Sequence, residues 1–390
     1  MKQSGACRTA GPGSQERRAV QARVDSESPL RVRAADPAGT TQVNRVLRRA
    51  GLGALPPDNT TSYPGRNTNW TGTTERGHSV FVKQVGGDSG DSLRRFRRSL
   101  SFEELADRNK PAGLRRPRRL CHDEESRILV FELLPAVSGN ELLTRDAFGA
   151  DLAHEVGLML AELHELPSGE ADGLDRTPHP LPPSEFFDAL PERAFLQATH
   201  AELEFWWLLQ SDRQLVAAIG TLRGMEARAP HRPAHCDLRF DQLLIADGVL
   251  HLSDWEEFRF SDPARDVGGF LGELLWTGVT RIPASSPDEN DTRQDAHGTI
   301  VARGVQELER LRPIALAFWD GYRGRRSGLD PGLPCRANAF AGWHLLDRVL
   351  ASGSERGRLS PTQRAAVGIG RSVLIAPHRF IRVLGMGGTA

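Results

Sequence analysis

Two aspartates, Asp237 and Asp254, stand on either side of a short apolar ribbon pattern, and no other stretch of this 390-residue chain constrains its fold as tightly. Leu243, Leu244 and Ile245 precede the dipeptide Asp247-Gly248, and Val249, Leu250 and Leu252 follow it. Asp-Gly between two apolar runs signals a tight hairpin, because both central residues of its turn need positive φ. The order is loop, ribbon, loop, and the ribbon returns both carboxylates to the same end. His235 lies two residues before Asp237, and Gln242 five residues after it. Such a set suits phosphoryl transfer from ATP: Asp237 takes the proton of an acceptor hydroxyl, Asp254 holds Mg2+ on the phosphates, and the Gln242 amide oxygen completes the metal shell. A single loop aspartate carries no such meaning; two at this spacing do.

The chain is long enough for two lobes, and its apolar fraction of 39% suits a globular core. No run reaches membrane-span length and the N-terminus has no apolar signal core, so the expectation is a cytoplasmic protein with no membrane partner. Formal net charge is zero, which gives no reason to expect a nucleic-acid partner. The cysteines Cys7, Cys121, Cys236 and Cys335 form no CxxC pair and suggest neither a disulfide framework nor a zinc site. Charge is unevenly spread: residues 94–119 carry ten basic and three acidic groups, whereas 141–230 carry six basic and sixteen acidic. Of fifty basic residues only three are lysines, so a lysine inside a strand pattern asks for an explanation.

Residues 1–39 lack periodicity and read as a flexible tail. An N-lobe then runs over 40–134, opening with a short helix through Arg49 that Thr40 or Thr41 caps and Gly51 stops. The Gly65 to Gly77 stretch reads as a polar loop in which Thr71, Gly72 and Thr73 offer groups to phosphates, although residues of this kind more often form only a hairpin. Strand residues 79–85 follow and hold Lys83, a compact ammonium suited to phosphate. A helix from Ser92 to about Asp107 has Leu93, Phe96 and Leu100 on one stripe; continuing it by three buries Glu103 and by four Glu104, and either would need a cation. Residues 126–135 read as a buried strand ending in a hinge, where Glu132 and Leu134 would meet adenine, and 138–140 read as a linker. From 135 to 390 a C-lobe is expected, with helical stripes over 151–166, 197–222, 266–276, 304–323, 337–352 and 362–375. Trp206, Trp207, Trp276, Trp319 and Trp343 are expected as core or pocket walls.

A strand lysine, a helix glutamate, a hinge, a helical second lobe and the motifs His235-Cys236-Asp237-Leu238 to Gln242, Ser253-Asp254-Trp255-Glu256 and Ser261-Asp262-Pro263-Ala264-Arg265-Asp266 together resemble the aminoglycoside phosphotransferase family. The segment ending Leu163-His164 resembles it too. The resemblance covers about residues 60–350 and implies an α+β, bilobal protein-kinase-like fold, with a small antiparallel β-sheet N-lobe holding one helix and a larger, mainly α-helical C-lobe. It implies ATP bound with Mg2+ between the lobes, Asp237 as base, Asp254 as metal ligand, Lys83 on the phosphates paired with Glu103, and Asp266 bracing the loop from behind. The family usually has glycine where Cys236 stands and asparagine where Gln242 stands; Asp241 is a further candidate for the metal. Arg239 faces two roles: neutralising the transferring phosphoryl group, or a salt bridge within its own loop.

The wording around 235–244, 65–74 and 81–85 is similar to the kinase subunit of class V lanthipeptide synthetases. That resemblance implies phosphorylation of Ser or Thr in a ribosomally made precursor peptide, with a lyase or cyclase as partner protein. Two rivals stand beside it. One is a small-molecule phosphotransferase for an aminoglycoside, sugar or amino alcohol; the acidic 141–230 region would suit a polycationic acceptor and a basic peptide equally well. The other is a non-catalytic kinase-like scaffold, which the departures at Cys236 and Gln242 would suit.

Overall fold

The computed structural model describes residues 37–63, 66–169, 173–179, 181–282, 293–326, 328–353 and 357–387. Most of the expected 1–39 tail, and Gly65, therefore lie outside the described residues. Two compact units emerge: the first holds the described residues up to 93 together with 118–133, the second 94–117 and those from 134 onward.

In the first unit, helix α1 (Pro37–Arg49) precedes strands β1 (Thr60–Tyr63), β2 (Thr68–Thr73) and β3 (Ser79–Gln84); helix α2 (Ser89–Asn109) follows, belonging to the second unit from Arg94 on, and β4 (Arg119–Asp123) and β5 (Ile128–Glu132) belong to the first again. Among the described residues the strands form one antiparallel sheet in the order β1-β2-β3-β5-β4. Val80 and Val82 of β3, Ile128 and Val130 of β5 and Trp70 of β2 pack with Val43, Val46 and Leu47 of α1. Side chains alternate across a strand, so Lys83 lies with Phe81 on the face opposite Val80 and Val82. It is buried, on an interior strand, and in register with Asn69 and Leu129.

Helix α1 begins three residues ahead of the expected Thr40, and Thr40 and Thr41 lie inside it. Pro37 opens it, as proline does where the first N–H has no helical partner. Gly51, at φ +76, ends it as expected.

The second unit continues with β6 (Val137–Ser138), α3 (Gly139–Thr144), α4 (Ala150–His164), α5 (Glu192–Gln197), α6 (His200–Gln210), α7 (Arg213–Arg228), β7 (Arg232–Ala234), β8 (Leu243–Ala246), β9 (Val249–Leu252), β10 (Arg259–Ser261), α8 (Ala264–Arg281), α9 (Arg293–Arg325), α10 (Leu333–Gly353), α11 (Pro361–Ile375) and α12 (Pro377–Phe380). Its core runs through α4, α8, α9 and α10, with Val156, Leu160, Phe270, Phe318 and Leu345 buried. The fold is thus α+β, an antiparallel sheet in the N-terminal part and mainly helices in the C-terminal part. The expected linker at 138–140 is instead a helix start: Ser138 caps α3, accepting from Glu141 N–H at 3.2 Å while Glu141 returns to Ser138 N–H at 3.1 Å. Four of the five tryptophans are buried or half-buried as expected, but Trp207 is 65% exposed because α6 turns that face outward.

Candidate active site

The ribbon forms as its turn chemistry requires. Leu243 pairs with Leu252 and Ala246 with Val249, and Asp247 (φ 50) and Gly248 (φ 74) make the turn. Ser253 closes the ribbon's open end, its N–H and hydroxyl both donating to the Gln242 carbonyl at 3.0 Å. His235 adds a second tie: Nε2–H donates to the Ser253 carbonyl at 3.0 Å, leaving Nδ1 to accept Asp237 N–H at 3.4 Å. Bonds from His235 and Ser253 therefore join the loops of Asp237 and Asp254 at the ribbon's open end.

Cys236 and Asp254 are both left-handed, at φ 67 and φ 66. That region costs an L-residue roughly 1 kcal/mol, so it persists only where surroundings over-determine it. The glycine usual in the resembling family at Cys236 has this physical reason. Asp266, buried in the first turn of α8, supplies the constraint: its carboxylate accepts the N–H groups of His235 and Cys236, each at 2.7 Å, and His164 Nε2 at 3.0 Å. His164 Nδ1 in turn meets the Tyr322 hydroxyl at 2.9 Å. Burial alone would raise the Asp266 carboxyl, but His164 and the loop N–H groups hold it below the usual range. Burial pushes the Cys236 thiol far up, which makes it a packing group and no nucleophile.

Asp237 is pushed up to about 6, first by burial; Arg239 pulls it down and the Asp254 carboxylate pushes it up again. Arg239 Nη1 donates to Asp237 Oδ2 at 2.7 Å and Nε to Asp241 at 3.1 Å, so of its two expected roles the loop salt bridge is observed. Gln242 Nε2 also donates to Asp237 Oδ2, at 3.3 Å, while its Oε1 accepts Arg239 N–H at 3.1 Å. The Gln242 amide thus spans the loop, and any metal ligand bond would use the oxygen's second lone pair. Beside Asp237 opens a cavity of about 70 Å³, lined by His179, Phe340, Trp343, His344 and Asp347.

Other expected site residues fall as follows. Glu103 is buried on α2 and accepts Arg116 Nε at 2.9 Å, whereas Glu104 is exposed. Glu132 accepts Arg118 N–H at 2.9 Å, and Leu134 starts the second unit. The expected polar loop is a correction: Thr71, Gly72 and Thr73 lie in β2, and the turn is confined to 74–78, where Thr74 N–H meets the His78 carbonyl at 2.9 Å. Pairing on both edges of β2 outweighs the loop-like composition. Gly72 serves close approach, since a Cβ there would stand 2.2 Å from the Asn59 carbonyl oxygen.

Sequence reasoning gave no role to Arg95, Arg98, Glu256 and Glu257, which pair within the second unit, or to the buried Glu273, held at about 2 by His344 (2.7 Å) and Arg348 (3.4 Å) against the upward push of burial. The run of arginines early in α2 was the available signal, but a solvated face reads the same way. Among the described residues no three His, Cys, Asp or Glu gather into a metal cage, and no helix is long and apolar enough to cross a membrane. Two neighbouring carboxylates still fit Mg2+, which binds through one or two protein carboxylates plus substrate phosphates.

A model of the phosphotransferase enzyme family matches residues 65–314. Among solved structures, a spectinomycin phosphotransferase in complex with ADP and spectinomycin is 12% identical, with 89% of this chain and 100% of that one covered at a TM-score of 0.50. An amicoumacin kinase in complex with AMP-PNP, Ca2+ and Ami is 13% identical over 92% and 96%, at 0.49. A choline/ethanolamine kinase family protein from Mesorhizobium loti is 14% identical over 90% and 99%, at 0.47. At these identities the first is a likeness of fold. No curated protein matches the sequence.

Proposed function

Given that this chain belongs to the phosphotransferase enzyme family and is a hydroxyl-directed kinase, we propose that it moves the γ-phosphoryl group of ATP to a Ser or Thr hydroxyl of a peptide. The observation that carries the chemistry is Asp237: a carboxylate held near 6, beside Asp254, on a loop braced by Asp266. Both Asp237 contacts fall on Oδ2, leaving Oδ1 for the acceptor's proton. In the reaction Asp237 takes that proton, the acceptor oxygen bonds to the γ-phosphorus, and the bond to the departing ADP oxygen breaks. Asp254, with Gln242 as a further ligand, would hold a divalent cation, which would supply positive charge to the phosphates. Lys83 provides the phosphates with an ammonium, and the backbone around Glu132 and Leu134 receives adenine. Thr71, Gly72 and Thr73 serve the phosphates only through the strand that carries them to the 74–78 turn.

The cavity beside Asp237 supports this acceptor class. About 70 Å³ between Phe340 and Trp343 admits a hydroxyalkyl group, well under the roughly 300 Å³ of a pocket that encloses a drug-sized ligand. A peptide side chain fits that entry, and phospho-Ser or phospho-Thr would then be the substrate of a separate lyase or cyclase that eliminates phosphate and closes rings. A small amino alcohol is the second reading, because it would fill the same volume beside Asp347.

Mass spectrometry after incubation with ATP, Mg2+ and either candidate precursor peptides or a panel of aminoglycosides, sugars and amino alcohols tests this. A phosphate adduct on peptide Ser or Thr is expected. Adducts on small molecules alone overturn the peptide acceptor, and an absence of ATP consumption with every acceptor points to the scaffold.

A further inference from the structure

Asp254 holds a left-handed backbone, with φ 66 and ψ 65, and makes no side-chain cap to the short helix it opens. Such a conformation needs fixing on both sides. On the N-terminal side His235 and Gln242 fix Ser253. On the C-terminal side the next three residues are each fixed by α2. Trp255 stacks on Phe102, with ring centroids 3.3 Å apart and planes 8° apart. Glu256 accepts Arg95 Nη1 at 3.1 Å, and Glu257 accepts Arg98 Nη1 at 3.1 Å. Arg95, Arg98 and Phe102 recur at i, i+3 and i+7, one stripe of the helix. Further charges make the clasp a network: Arg98 Nε also donates to Asp175 at 2.6 Å, and Arg259 Nη2 to Glu257 at 2.7 Å. The Arg95 side chain is fully buried, so its charge has no water to fall back on.

We propose that Arg95 and Arg98 are positioning residues for the metal-nucleotide: by gripping Glu256 and Glu257 they hold Asp254 in the one backbone conformation that presents its carboxylate. This rests on the reading of Asp254 as the metal carboxylate. It places control of metal affinity in α2 side chains that touch neither metal nor nucleotide. Glutamates gripped in this way act on a ligand residue as hydrogen-bonded partners do around other metal sites, where their loss typically costs about tenfold to a hundredfold in metal affinity.

The test is Mn2+ binding in the presence of a non-hydrolysable ATP analogue, followed by electron paramagnetic resonance, with full-length protein and a thermal melt for each variant. Glu256→Gln keeps the shape and removes the charge; it should weaken Mn2+ binding about tenfold, while phosphorylation at saturating Mg2+ stays within about threefold of the parent. Arg95→Lys should recover part of the affinity that Arg95→Met loses. Glu104→Gln, on the exposed side of the same helix, should change nothing. A folded Glu256→Gln protein that binds Mn2+ like the parent overturns the proposal, as does a lowered melting temperature with unchanged affinity. Asp254→Asn separates the two readings: if it too binds Mn2+ normally, the metal assignment fails rather than the clasp.

Discussion

The Asp266 carboxylate accepts the backbone N–H of Cys236 at 2.7 Å and that of His235 at the same distance. One buried side chain thereby closes the two peptide groups that lead into Asp237. A loop held in this way keeps its left-handed residue without help from solvent. Asp266→Ala leaves two N–H groups and His164 without their acceptor, and should cost roughly 3–5 kcal/mol. Asp266→Asn retains one acceptor oxygen and should lose less. Urea unfolding of both variants measures the difference, and equal losses would contradict the double-acceptor role.

The Asp237 carboxyl near 6 sets a pH dependence. The proposed base acts when ionised, so kcat/KM should rise as pH increases through about 6 and level off above it. Arg239 pulls that value down, so Arg239→Gln should move the rising limb to higher pH. A limb unmoved by Arg239→Gln would show that another group is being titrated.

Cys236 combines a left-handed φ with burial. Cys236→Gly relieves backbone strain and loses a small packed side chain, two terms of about 1 kcal/mol with opposite signs. It should melt within a few degrees of the parent and remain active. Cys236→Val puts a β-branched residue at positive φ and should destabilise by roughly 2–3 kcal/mol. The parent thiol should resist alkylation at pH 8 until the protein unfolds.

Glu273 is held at about 2, against the upward push of burial, by the His344 hydrogen bond and Arg348. A depressed carboxyl contributes stability above its unfolded pKa near 4.5, and loses it as pH falls toward 2. The depression corresponds to roughly 3 kcal/mol at neutral pH. Glu273→Gln should therefore be less stable at pH 7 and approach the parent between pH 4.5 and 2, as denaturation midpoints across that range would show.

Lys83 is a buried cation on an interior strand. Lys83→Met should lower phosphorylation at least about a hundredfold if the ammonium meets the transferring phosphates, with thermal stability little changed. Undiminished turnover would remove Lys83 from the site.

The ribbon, its turn and the α+β order of elements were legible in the sequence, because φ preferences and alternating hydrophobicity act between neighbours. Asp247-Gly248 demands one turn geometry, and that turn brings the loops of Asp237 and Asp254 to one end. Helix starts were less legible, since Pro37 and Ser138 open helices where composition suggested tail and linker. The 68–73 stretch misled for the opposite reason: Thr, Asn and Gly look like a loop until strands on both sides pair with them.

What spacing left open, tertiary structure decided by surroundings. Glu103 and Glu104 are adjacent in sequence, yet only one is buried against Arg116. Asp237 and Asp266 are the same residue type, yet burial lifts one carboxyl while His164 and two backbone N–H groups lower the other. Arg95 and Glu256 meet across 161 positions, a pairing no local preference encodes. The sequence by itself determined which short segments turn, cap and alternate, because those forces reach only a few residues. Which charges are buried together, and so what each aspartate is able to do, depends on groups that only the folded chain assembles.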